Sequence, residues 1–351
     1  MTKAQAGQTL VFMDDTAPGI TRRRFRNKWR YFDPDGNRIT DAQVIARLNA
    51  IALPPAYRDA WYAPLANAHI LACGWDAKGR KQYRYHPDFR AERDSRKFDH
   101  CADFARALPL IRARVAQDMA RRGACMERAL ACVVRLLDTG GIRVGNQTYA
   151  RQNKSFGATT LRMRHADVRG ASLHLRFRAK SGQMRDMTVS DKGLIRFVKA
   201  MQHLPGQSLF QYRDDDGHPV AVTSHDVNAY IRETMGQDFS AKDFRTWVAS
   251  ALAFAMMHDA AADLSMKEIM AHVSASLGNT PAIARKSYVH PALIAAAGDD
   301  QAALRALRLP RASRWLDRHE RGLIAFLDDQ PSAAQWLSQS GLSQSGLGQS
   351  A

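Results

Sequence analysis

Three short segments place lysine or arginine where a phosphate could be held. The first, Gly141-Ile142-Arg143-Val144-Gly145-Asn146, follows a predicted helix that ends near Leu137. The second is Lys180, in the tip Ala179-Lys180-Ser181-Gly182-Gln183 between two predicted strands. The third, Lys242-Asp243-Phe244-Arg245, falls in the first turns of a helix opened by Ser240. Unsatisfied N–H groups and the helix dipole favour an anion there. Other routes to phosphate chemistry are poorly supplied. No GxxxxGK(S/T) loop is present to cradle ATP. Asp214-Asp215-Asp216-Gly217, set between Tyr212-Arg213 and His218-Pro219, reads as a solvated turn rather than a magnesium site. His258-Asp259 has no second ligand pair at metal-binding spacing. A protein that works on phosphodiesters without metal must stabilise phosphate charge with its own cations. Singly, each basic segment is what a chain with 51 Lys and Arg scatters by chance.

The elements expected to position these residues fall into two groups. Residues 20–90 read as mostly β. Trp29–Phe32 and Arg38–Thr40 flank the turn Asp33-Pro34-Asp35-Gly36, and His69–Trp75 and Lys81–Tyr85 flank Asp76-Ala77-Lys78-Gly79. Asp41–Ala50 has the pattern of a short amphipathic helix. The charged stretch Arg90–His100 shows no clear period and reads as a linker. Beyond it, Pro109–Arg122, with Pro109 at a first helical position, and Met126–Leu137 have helical spacing. Strands are expected at Thr159–Met163, Leu173–Phe177 and Met184–Val189. Ser240 to Asp243 and Ser265 to Glu268 match capping boxes, and Thr280-Pro281 is a further helix start. The expected fold is therefore α+β: a small β-rich domain (1–92), a linker (93–102), a larger, mainly helical domain with a small hairpin sheet (103–330), and a flexible, Ser/Gln/Gly-rich tail (331–351).

The charge narrows the partner. The 351 residues carry a formal net charge of +17, of which residues 1–100 supply +7 and the remainder +10. An excess of this size points to a polyanion, nucleic acid ahead of a membrane surface, and its presence in both domains suits a clamp. Four cysteines (Cys73, Cys101, Cys125, Cys132) without CxxC pairing fit buried thiols in a reducing compartment. The N-terminus lacks the apolar core of a signal peptide, and no window approaches the ~20 apolar residues of a membrane span. A cytoplasmic location is expected.

One segment organises the rest. Leu277-Gly278-Asn279-Thr280-Pro281-Ala282-Ile283-Ala284-Arg285-Lys286-Ser287-Tyr288-Val289-His290-Pro291 closely resembles the active-site segment of the compact poxvirus and bacterial type IB DNA topoisomerases. Asn279, nine residues before Tyr288, stands where that family has His or Asn. Other motifs match in the same order. Arg143-Val144-Gly145-Asn146 with Tyr149, followed by Asn153-Lys154-Ser155-Phe156-Gly157, is similar to the first arginine motif. Lys180 resembles the hairpin lysine, and Lys242-x-x-Arg245-Thr246 the second arginine motif. Ile51-Ala52-Leu53-Pro54-Pro55-Ala56-Tyr57 and Gly79-Arg80-Lys81-Gln82-Tyr83-Arg84-Tyr85 resemble that branch's DNA-gripping domain. The likeness runs from about residue 20 to 320.

The resemblance implies a tyrosine-type catalytic fold and nicking of one strand of duplex DNA. Tyr288 would be the nucleophile and a 3′-phosphotyrosine the intermediate. Supercoils of either sign would be relaxed by strand rotation, and religation would need neither ATP nor metal. Arg143, Arg245 and Asn279 would clamp the phosphate, Asn279 in an electrostatic role because an amide cannot carry a proton. The leaving 5′-oxygen needs a proton, which lysine gives more readily than arginine, so Lys180, alone or with Lys242, is the expected general acid. Gln82, Tyr83, Tyr85, Gly145 and Tyr149 are candidate DNA contacts; the strand tyrosines could equally pack on a core. No cofactor or nucleotide is implied, and a monomer is expected because one chain carries the whole set. The alternative is a tyrosine site-specific recombinase, which shares this chemistry, although a β-rich N-terminal part and Lys-x-x-Arg in place of His-x-x-Arg speak against it.

Overall fold

Alternation of apolar and polar residues in the first hundred positions builds one antiparallel sheet. The computed structural model describes residues 9–26, 28–202, 206–299 and 301–339, and the chain divides into two compact units at Asp94/Ser95. In the first unit, β1 (Ile20–Phe25), β2 (Lys28–Phe32), β3 (Arg58–Tyr62), β4 (Ile70–Trp75) and β5 (Lys81–Tyr85) lie in the order β2-β1-β3-β4-β5. Helix α1 (Ala42–Ala50) is capped by Asp41, whose carboxylate accepts from the Gln43 and Val44 amides. The small core holds Ile20, Tyr31, Leu48, Leu53, Tyr62 and Ala72. Arg38–Thr40 is not a strand: only Arg38 bridges, to Phe32, and β2 takes β1 as its partner instead.

Helix α2 (Pro87–Met119) contains the stretch expected as a linker. Residues 93–102 are helical because Ser95, Phe98, Cys101, Ala105, Leu108, Ile111 and Val115 recur at three- and four-residue intervals and are buried. The charges between them mask that stripe at its N-terminal end. Pro109 consequently sits inside the helix rather than at its start, where it cannot donate to the carbonyl four residues back.

The second unit is mainly helical. After α2 come α3 (Met126–Gly140) and the short α4 (Gln147–Asn153). A three-stranded sheet follows, with β6 (Ala166–Arg169), β7 (Ser172–Arg178) and β8 (Met184–Val189) in chain order. The expected strand at Thr159–Met163 is absent. Those residues form 3-10 turns at Ala158–Thr160 and Met163–His165, because the threonine hydroxyls close local bonds, Thr160 Oγ1 taking the Gly157 amide at 2.9 Å and Thr159 Oγ1 donating to the Val144 carbonyl. Then come α5 (Lys192–Met201), a small hairpin of β9 (Gln211–Arg213) and β10 (Pro219–Ala221), and α6 (Ser224–Met235). The Asp214–Gly217 run is the exposed turn of that hairpin.

Helices α7 (Ala241–His258), α8 (Met266–Leu277), α9 (Pro281–Ser287), α10 (Pro291–Asp299), α11 (Gln301–Arg305), α12 (Arg318–Asp328) and α13 (Ala333–Gln339) complete the unit. Ser240 with Asp243 and Ser265 with Glu268 form the two expected capping boxes. Thr280 caps α9, with Pro281 at its start. α7 runs through the core, burying Phe244, Trp247, Phe254 and Met257. The tail expected to be flexible is helical over α13, and its Ser-Gln-Ser-Gly-Leu portion, 340–351, lies outside the described residues. None of the described helices is long and apolar enough to cross a membrane.

Candidate active site

Two helix ends frame the site, and buried arginines join them. α3 terminates at Gly141 and α8 at Gly278, both left-handed caps, leaving terminal carbonyls without intrahelical partners. Arg245, one turn into α7 and 3% exposed, donates Nη1 to the Gly141 carbonyl and Nη2 to the Leu277 carbonyl at 3.2 Å. Arg185, from β8, bonds the same two ends. It donates to the carbonyls of Ala275 at 2.9 Å, Ser276 at 2.5 Å and Gly140 at 3.3 Å. Its stem fills the space beside Gly278, where an added Cβ would lie 2.4 Å from Arg185 Cδ.

The Arg143 loop is fixed from below by 157–160. Ala158 donates to the Arg143 carbonyl at 2.8 Å and Thr159 to that of Val144 at 2.7 Å. Gly157 lets these segments touch: a Cβ there would fall 2.5 Å from the Arg143 carbonyl oxygen and 2.6 Å from the Gly145 nitrogen. The half-buried Arg143 then donates Nη2 to Asn279 Oδ1 at 2.7 Å. Arg245 Nη2 donates to the same oxygen at 3.0 Å. With its oxygen held by two guanidinium groups, the Asn279 amide nitrogen is buried without a partner among the described residues, as is Arg245 Nε. Donors of this kind normally find an acceptor, and an anion would satisfy both.

Tyr288 lies over this cluster, at the C-terminal end of α9. The Arg245 guanidinium stands 4.7 Å from its ring centroid. Burial alone would raise its phenol pKa. The charges of Arg245 and Arg143, a hydrogen bond with Arg245 and the charge of Lys180 outweigh it, leaving the phenol below its ordinary value. Burial, with Arg143 nearby, lowers Arg245 to about 10, still a cation at neutral pH. Arg185 is lowered for the same two reasons.

Backbone around Tyr288 is held from two sides. Ser250, buried on α7, donates to the Tyr288 carbonyl at 3.4 Å and accepts the His290 amide at 3.0 Å. Lys97, on α2, donates to the Ser287 carbonyl at 2.5 Å, its ammonium 6.0 Å from the Tyr288 ring. His290 caps α10 through Nδ1, which accepts the Ala292 amide at 3.2 Å. Burial drops its pKa to about 4, so the ring is neutral.

The structure thus brings Arg143, Arg245, Asn279 and Tyr288 together. Lys180 is exposed on the β7–β8 tip, where Ser181 and Gly182 take positive φ, and is close enough for its charge to bear on Tyr288. Lys242 is exposed in the first turn of α7, with none of the bonds that tie Arg245 to the site. Gly145 (φ +99°) lies in the Arg143 loop, and Tyr149 is exposed on α4. In the first unit, Tyr83 and Tyr85 share one face of β5 with rings stacked 5.8 Å apart, outside the core. Gln82 donates to Asp76 at 3.2 Å. Sequence reasoning passed over Arg185, Lys97, Ser250 and His290. Arg185 alone carried a local signal, standing in register with Met187 and Val189 on the inward side of β8.

The family model for the eukaryotic DNA topoisomerase I catalytic core matches residues 86–305. That for the bacterial DNA topoisomerase IB N-terminal domain matches 28–76. DNA topoisomerase 1B of Acanthamoeba polyphaga mimivirus is 35% identical over 66% of this chain and 70% of its own length. DNA topoisomerase 1 of Mycosarcoma maydis is 23% identical over 56% of this chain but only 22% of its own. A solved structure, the XerH site-specific recombinase bound to palindromic difH substrate in a post-cleavage complex, aligns over 52% of this chain and 47% of that one. Its identity is 14% and its TM-score 0.36, too slight a likeness to carry an argument.

Proposed function

This chain belongs to the type IB DNA topoisomerase family, and from that premise we propose that it relaxes supercoiled duplex DNA through a covalent bond to Tyr288. The observation that carries this reading is the convergence of Arg143 and Arg245 on Asn279 beside the Tyr288 ring.

In the first step Tyr288 loses its phenolic proton to solvent, and its oxygen attacks a backbone phosphorus. The bond to the 5′-oxygen breaks, leaving a 3′-phosphotyrosine and a 5′-hydroxyl. Charge gathers on the non-bridging oxygens in the transition state. Arg143, Arg245 and the unpartnered Asn279 amide nitrogen meet it with donors already fixed in place. Lys180 gives the leaving oxygen its proton, with Lys242 available to assist. One phosphodiester replaces another, so the reverse attack reseals the strand without ATP. The free strand rotates between the two steps, which releases supercoils of either sign. Charge in both units supports duplex binding through the backbone, with Gln82, Tyr83, Tyr85, Gly145 and Tyr149 as further contacts, and binding should weaken steeply with salt. A single chain carries every group the reaction needs, which supports a monomer, and duplex DNA as the substrate supports action in the cytoplasm, at the nucleoid.

The test is relaxation of negatively and positively supercoiled plasmid in EDTA without ATP, beside Tyr288→Phe. Wild type should relax both and the variant neither, while binding DNA as well as wild type does. A wild type that binds DNA but leaves its linking number unchanged refutes the proposal.

A further inference from the structure

The far end of α7 holds a second cluster. The helix ends at His258, with Asp259 as its C-cap, and His319 stands in the first turn of α12. Neighbouring sequence gives His258-Asp259 no ligand partner, but the fold supplies one from 60 residues away. Asp259 Oδ1 lies 3.0 Å from His258 Nδ1 and 2.9 Å from His319 Nε2. Ligand atoms of all three residues fall within 4.8 Å of one another.

One outer bond fixes the tautomer of His258. His258 Nε2 lies 3.1 Å from the Leu307 carbonyl oxygen, which only accepts, so Nε2 carries the hydrogen. That leaves His258 Nδ1 facing Asp259 Oδ1, with His319 Nε2 on the same oxygen. A proton can bridge the first pair and a neutral His319 can donate to the carboxylate, whereas a metal ion would be held by all three atoms at once.

We infer that His258, Asp259 and His319 bind one divalent transition-metal ion of the zinc type. Tetrahedral zinc bonds of ~2.0–2.1 Å place ligand atoms about 3.3 Å apart, so the two carboxylate–imidazole pairs, at 3.0 and 2.9 Å, need open by only a few tenths of an ångström, and the two imidazole nitrogens lie within 4.8 Å of each other. The Nε2–Leu307 bond is the outer bond that orients a ligating imidazole, and the Phe254 ring stacks on His258 at 6.0 Å to fix its plane. The histidine side chains are 14% and 29% exposed and that of Asp259 60%. The nitrogens therefore form the wall of the site, while the carboxylate side opens to solvent, giving the ion an entry and a water its fourth position. Two imidazoles with one carboxylate favour zinc, cobalt or nickel over magnesium and calcium, which take oxygen ligands. His258 lies about 20 Å along α7 from Arg245, so the ion would brace α7 against α12 and take no part in strand cleavage.

Calorimetric titration of chelator-stripped, full-length protein with zinc chloride tests this. Wild type should take up one equivalent, and His319→Ala should weaken binding by about a hundredfold or more. Asp259→Asn, which keeps shape and removes charge, should do the same. His218→Ala, in the exposed Asp214–Asp216–His218 turn, should change nothing. Cobalt(II) in place of zinc should give tetrahedral visible absorption in wild type and not in His319→Ala. Absence of zinc uptake by wild type, or equal uptake by His319→Ala and Asp259→Asn, would show that a proton alone bridges the cluster and would overturn the inference.

Discussion

Arg143 and Arg245 share one acceptor, donating to Asn279 Oδ1 at 2.7 and 3.0 Å. Two like charges are thereby held side by side without a carboxylate between them. That arrangement repels in the free protein and suits a phosphate. The two arginines nevertheless differ in what else they hold.

Arg143 has Asn279 as its side-chain partner, while Arg245 also bonds the ends of α3 and α8. Arg143→Ala should cut relaxation by about 100- to 1,000-fold with little change in melting temperature. Arg245→Ala should lose at least as much activity and, by orphaning buried carbonyls, about 2–4 kcal/mol of stability. Plasmid relaxation and urea melts of the two variants separate the roles. Equal loss of stability in both would contradict this division.

Asn279→Asp keeps the oxygen that both arginines grip, discards the free amide donor and adds a negative charge facing the phosphate. Its melting temperature should match or exceed that of wild type, because an ion pair replaces a neutral bond, while relaxation falls by roughly 100-fold or more. A variant that is both stable and active would remove Asn279 from the phosphate site.

Tyr288 should ionise at lower pH than an ordinary tyrosine, since the cations around it outweigh its burial. Ultraviolet titration of wild type minus Tyr288→Phe should isolate one phenol with its midpoint below ~10. Relaxation should rise with pH toward that midpoint. In Arg143→Ala one opposing charge is gone, and the midpoint should move up. An unmoved midpoint would mean that Arg143 does not act on the nucleophile.

His290 is buried neutral, with its pKa lowered to about 4 from an ordinary 6.5. Its folded-state pKa is the depressed one, so its contribution is complete above pH ~6.5 and is lost as pH falls toward 4. The loss should amount to as much as about 3 kcal/mol. His290→Gln should show a shallower acid decline in urea melts between pH 7 and 4. Parallel declines would place the acid sensitivity elsewhere.

Much of the site was legible in the chain, because the signals that mark it are local. Ser240 with Asp243, Ser265 with Glu268, and Thr280-Pro281 cap their helices within three residues. The Lys180 tip is set by the alternation on either side of it. Local order therefore fixed where Arg143, Lys180, Arg245, Asn279 and Tyr288 fall along the chain, and the family's motif order tied them to one another. Only the tertiary structure decided what they touch. Arg185 reaches carbonyls 90 and 91 residues away, Lys97 bonds Ser287 across 190, and His319 meets Asp259 across 60. Such partners leave no trace in neighbouring residues, since contact at that separation depends on how α2, β8 and α12 pack on the rest of the unit. The same reason accounts for the misread segments. The charged N-terminal part of α2 is helical because its sparse apolar stripe finds a core, and Thr159–Met163 turns because its hydroxyls find the Arg143 loop.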